Sequence, residues 1–139
     1  MKIFETSEEY VNLALDKFDE TTLPQIGINL KVISVTKAKQ VLKVSRANPT
    51  TQFLTNKDII LTIYEAAFDR LSDEYKEKLM EGALSNVTYD LNKDKLNVES
   101  DFSKEIFRMR RKYDNYVDIA ETSYHVIDEV LEEERESKK

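Results

Sequence analysis

Arg108, Arg110, Arg111 and Lys112 crowd one short stretch of the chain, and the chemistry open to such a group is anion binding. Arginine presents a planar fork of donors matched to phosphate or carboxylate, and lysine adds a compact charge. The same residues also suit the negative end of a helix dipole, where they need no ligand. A second basic group lies earlier. From Pro24 to Lys57 there is no acidic residue, while Lys31, Lys37, Lys39, Lys43, Arg46 and Lys57 all fall there. Neither group comes with a glycine-rich phosphate loop, zinc-finger spacing or an aromatic RNA-binding signature. His125 is the single histidine. Glu121, Asp128 and Glu129 lie about a turn away, a spacing that a surface metal site shares with ordinary charged helix faces. Ser123 beside it has no oxyanion-hole signature, and the many acids single out no general acid and base. No metal and no cofactor is expected.

The elements that must position these residues follow from period and caps. Ser7 before Glu8 and Glu9 opens a helix with acids at its positive end. Tyr10, Leu13, Ala14, Lys17 and Phe18 then recur near helical spacing to about Asp19. Pro24 and Gly27 break the chain. Residues 30–35 and 40–45 alternate as two strands, so their lysines face water and discourage edge pairing. Residues 59–64 are more continuously apolar, which predicts a central strand covered on both faces. Ser72 caps a helix on which Tyr75, Leu79, Ala83 and Val87 form an inward stripe. Gly82 lies inside that helix, where a close backbone contact or a bend would explain its cost. A hairpin spans residues 88–98 and turns at Asn92, Lys93 and Asp94. Ser100 caps the next helix, whose stripe is Phe102, Ile106, Met109 and Tyr113.

The order of residues 53–86 resembles the core of phage-type zinc metallopeptidases. In that family an apolar strand ends in an acidic turn and a small helix, and a longer helix then carries His-Glu-x-x-His. Here Asp58 to Tyr64 match the strand, Glu65 to Leu71 the small helix, and the long helix starts at Ser72. The resemblance sets Gly82 at the first metal-binding histidine, Ala83 at the catalytic glutamate and Asn86 at the second histidine. Ser100, before Asp101, stands where a third histidine would open the following helix. Two imidazoles one turn apart grip a zinc ion, and the glutamate takes a proton from its water; glycine and alanine can do neither. The resemblance covers roughly residues 7–112 and implies a catalytically inactive scaffold. The expected fold class is α+β: a small zincin-like domain with an N-terminal helix, a three- to five-stranded sheet including a hairpin, a degenerate former zinc helix and an added C-terminal helix.

Residues 1–113 would form that domain, and residues 114–139 an amphipathic helix with a charged tail. On it Val117, Ala120, Tyr124, Ile127 and Leu131 step by three and four, a stripe that would lie on the same domain, on a partner, or on a second copy. With 139 residues, 40% of them hydrophobic, one core without staples suffices. The absence of cysteine rules out disulfides and thiolate zinc sites and suits a cytoplasmic protein. No secretory signal or bilayer-spanning stretch is expected. The net charge of −6 argues against non-specific nucleic-acid binding by the chain as a whole. A host or phage protein is the expected partner. The alternative is nucleic acid held by the basic strands, with a hydrolase of unusual ligands behind both.

Overall fold

Alternating apolar and polar residues between Leu30 and Tyr64 build the sheet on which everything else is placed. The structure is a computed structural model and describes residues 1–138. Strand β1 (Ile3–Phe4) precedes helix α1 (Glu8–Asp19), and a short 3₁₀ turn (Pro24–Ile26) leads to β2 (Leu30–Val35). Gly27 closes that turn at φ 85°, a left-handed conformation that glycine adopts without steric cost. Next come β3 (Leu42–Arg46), α2 (Pro49–Thr55), β4 (Ile59–Tyr64), α3 (Glu65–Phe68) and α4 (Asp73–Leu84). The hairpin β5 (Val87–Asp90) and β6 (Lys95–Val98) precedes α5 (Phe102–Met109) and α6 (Tyr116–Ser137). The architecture is α+β.

The strand order is β1-β2-β4-β3, with β2 and β4 parallel and both outer pairs antiparallel. One face is shut: Leu30, Val32, Leu42, Val44, Ile59, Leu61 and Ile63 are buried, and they share a core with Tyr10, Ala14 and Phe18 of α1 and Leu79, Met80 and Ala83 of α4. Each Val, Leu, Ile, Phe or Met among them contributes roughly 1.5–3 kcal/mol by leaving water. The opposite face stays open. Lys31 and Lys43 are exposed there, and Ile33, Ser45, Ile60 and Thr62 are half-buried. β4 is therefore interior to the sheet, as its apolar run predicts, but covered fully on one face only.

Several elements depart from the expectations. β1 adds a two-residue strand, and α2 is a helix capped by Asn48, whose Oδ1 accepts from the Thr51 amide at 2.8 Å, with Pro49 in its first turn. α2 buries no side chain, and Phe53 is 88% exposed. The hairpin forms its own two-stranded sheet, tied to β3 where Arg46 Nη1 donates to the Leu96 carbonyl at 3.4 Å. Ser72 caps α4, as expected, its Oγ accepting from the Tyr75 amide. The cap of α5 is Asp101 rather than Ser100; its carboxylate accepts from the Ser103 amide at 2.9 Å.

Helix α6 lies on α3, α4 and α5 of the same chain. Its buried seam is Tyr116, Ile119, Ala120, Ser123, Val126, Ile127 and Val130. Of the expected stripe, Ala120 and Ile127 are buried and Leu131 half-buried, while Val117 and Tyr124 are 40% and 45% exposed. Arg70 pins the helix further, pairing with Glu129 at 3.4 Å and with Glu133. Among the described residues no helix is long and apolar enough to cross a membrane.

Candidate functional site

Gly82 and Ala83 lie in α4, but that helix ends at Leu84 and Asn86 stands in the turn after it, so the expected ligand positions do not share one helix face; the space beside them is filled by side chains from two other helices. Gly82 faces Tyr116 of α6 so closely that a Cβ at this position would lie 1.9 Å from the phenol oxygen and 3.1 Å from Glu105 Oε2. The close contact explains a glycine in mid-helix: no larger residue fits unless Tyr116 moves. The Tyr116 hydroxyl donates to Glu105 Oε2 at 2.6 Å, and Asn86 Nδ2 donates to Glu105 Oε1 at 2.7 Å. Arg108 Nη2 donates to Asn86 Oδ1 at 2.5 Å and to Ser85 Oγ at 2.9 Å. Ser85 in turn donates to the Gly82 carbonyl at 2.6 Å. Both ends of the Asn86 amide are thus engaged, and Ala83 is buried in the core.

Glu105 is 4% exposed. Burial raises its pKa above the usual carboxylate range, against the opposing pull of the Tyr116 and Asn86 hydrogen bonds and the Arg108 charge. Burial, followed by the neighbouring Glu105 carboxylate, pushes the Tyr116 phenol up as well. The arrangement is a buried polar lock joining α4, α5 and α6. It offers no free donor pair one turn apart for a metal ion, and among the described residues no three His, Cys, Asp or Glu side chains converge on a common point. His125 is exposed on α6, and Ser100 is exposed beside the α5 cap.

The basic cluster of the sequence does not form one surface. Arg108 turns inward to Asn86, and Lys112 pairs with Glu81. For Glu81, partial burial works to raise the pKa, but hydrogen bonds from Lys112 and Tyr113 outweigh it and the net shift is downward. Arg110 and Arg111 are left exposed, their guanidinium carbons 5.3 and 5.1 Å from the Phe107 ring centre.

The early basic group does come together. Register places Ile33, Thr62 and Lys43 in one row across the open face, and Lys31, Ile60 and Ser45 in the next. Above the first row the β2–β3 connection closes an open groove of about 440 Å³, lined by Ile3, Ile33, Val35, Lys37, Lys39 and Lys43 among others. Its floor is apolar and its rim is cationic. Arg46 lies apart from it, at the hairpin contact.

Sequence reasoning missed Glu105, Tyr116 and Ser85. One signal was present: Glu105 falls between Phe102, Ile106 and Met109 on the inward stripe of α5, where an acid demands a buried partner. No family model, curated protein or solved structure matches the chain.

Proposed function

We propose that this chain is a catalytically inactive, metallopeptidase-like scaffold, viral in origin by its resemblance, that acts by binding a host or phage protein. The observation that carries the proposal is the pairing of a closed helix face with an open basic one. Gly82 in α4 and Asn86 in the turn after it are tied up with Tyr116 and Glu105, whereas Lys37, Lys39 and Lys43 rim an accessible, partly apolar groove on the sheet and Lys31 lines the smaller groove that adjoins it. Apolar floors with charged rims are how specific protein interfaces are built. The partner surface is acidic by complementarity, and the cysteine-free composition suits action in a cytoplasm.

Nucleic acid is the competing ligand for the same lysines. It is disfavoured because the groove lining contains no aromatic side chain on which a base could stack. The test joins two measurements. A partner captured from host lysate by the wild-type chain should be lost with the double substitution K37E/K39E, and the purified chain should melt identically with and without chelator. Near-stoichiometric zinc with a chelator-sensitive melt would overturn the inactive assignment. Oligonucleotide binding that weakens steeply with salt, as counterion release requires, would overturn the protein-binding one.

A further inference from the structure

The sheet has an unfinished edge. β1 pairs with only the last two residues of β2, Ser34 and Val35, and the Thr36 amide extends that pairing by donating to the Lys2 carbonyl. Even-numbered residues of β2 therefore direct their backbone groups toward β1. On the other side the Ile59 amide donates to the Asn29 carbonyl, so odd-numbered residues face β4, as a parallel ladder requires. By this alternation Leu30 and Val32 turn both their amides and their carbonyls to the side on which β1 has already ended. The chain at Glu5 and Thr6 has left the sheet, and among the described residues no backbone bond joins Thr6 to Val32. The space beside this edge is a groove of about 280 Å³, lined by Phe4, Glu5, Thr6, Val11, Lys31 and Ile33 among others. It shares Ile3 and Ile33 with the larger lysine-rimmed groove.

We propose that the open β2 edge at Leu30–Val32 receives an extended acidic and apolar segment of a partner protein as an added strand. The proposal rests on the protein-binding function above and specifies its mode. Unpaired strand edges template such additions, with main-chain bonds supplying affinity and alternate side chains specificity. The outer-face side chains beside the incoming strand are Lys31 and Ile33, so the occupant carries a carboxylate near the first and an apolar residue near the second. Lys37, Lys39 and Lys43 extend the cationic surface beyond. Glu5 borders the edge groove and calls for a neutral residue at that point. A second copy of this chain is the poorer occupant. Antiparallel pairing of Leu30 with Val32 of a second copy sets the two Lys31 side chains directly opposite, a like-charge pair that destabilises a sheet.

The test uses the full chain and a fluorescein-labelled synthetic peptide of repeating Thr-Glu-Thr-Val, which sets glutamate and valine alternately along one strand face, opposite Lys31 and Ile33. The peptide should bind and should protect the Leu30 and Val32 amides from hydrogen exchange. The same peptide N-methylated along its backbone keeps its charges but cannot donate, and should bind at least about tenfold more weakly, the loss of two hydrogen bonds. K31E, at an exposed position, should weaken binding several-fold without changing the fold. Binding that ignores N-methylation, or protection confined to residues 37–43, would overturn strand addition while leaving a protein-binding face intact. Failure to bind the peptide would overturn it as well. In that case continued capture of a K37E/K39E-sensitive partner preserves the wider function, and a single-stranded oligonucleotide bound instead removes both.

Discussion

Glu105 concentrates the chemistry of this fold in one side chain. A carboxyl group this buried favours its neutral form, and its pKa is raised. The folded state then binds a proton that the unfolded chain releases, over the window from the ordinary value of 4.5 to the raised one. Stability from this group is fully present below that window and lost as pH rises through it. E105Q removes the titration. Lowering pH from about 7 to the ordinary value of 4.5, which spans the window, should therefore raise the melting temperature of the wild type relative to E105Q, and a gap that moves the other way would contradict the assignment. Tyr116→Phe separates hydrogen bonding from titration. It strands Glu105 Oε2 without the phenol donor and should cost about 1–3 kcal/mol in urea unfolding. In the wild type, Gly82 leaves the space that this phenol occupies, which links a sequence oddity in α4 to a tyrosine more than thirty residues away.

At the scale of elements, α6 shows where helical periodicity stops being informative. Two apolar stripes run side by side along it, Val117–Tyr124–Leu131 and Tyr116–Ile119–Ser123–Val126–Val130, and both obey the 3.6-residue period. The second is the buried one, and Ser123 within it satisfies its hydroxyl by donating to the Ala120 carbonyl at 2.6 Å. Ile119→Ala should accordingly cost about 2–5 kcal/mol, and Val117→Ala should stay within about 0.5 kcal/mol; urea midpoints of the two variants decide between the stripes. The same logic sorts the other elements. Helices α1 and α4, strands β2 and β4 and the hairpin were legible because each buries one face, which leaves a period in the sequence. β1 is two residues long and α2 buries nothing, so neither leaves a pattern to read. The polar lock was half legible. Gly82, Asn86 and Arg108 drew notice singly, but their convergence needs the placement of α5 and α6 against α4, which no local spacing encodes.

For the whole molecule, the question is whether α6 is an attachment or part of the core. Tyr116 and Ile119 are fully buried and join the same cluster as Ile59, Leu61 and Ile63 of the central strand. Glu105 and Asn86 tie α5 to the turn that ends α4 through the hydrogen bonds that α6 completes with Tyr116. Removing α6 would therefore expose apolar core and leave a buried carboxyl short of a donor, two penalties that act on the same three helices. The contacts of α6 predict that residues 1–113 and the helix expected at 114–139 unfold together. Unfolding should be a single transition, with far-ultraviolet circular dichroism and the intrinsic fluorescence of the seven tyrosines giving coincident midpoints in urea. Two separated transitions, with helix lost before tyrosine burial, would mean that α6 docks on an already stable domain. The surface it covers would then be available to a partner, and the basic sheet face would no longer be the first place to look for one.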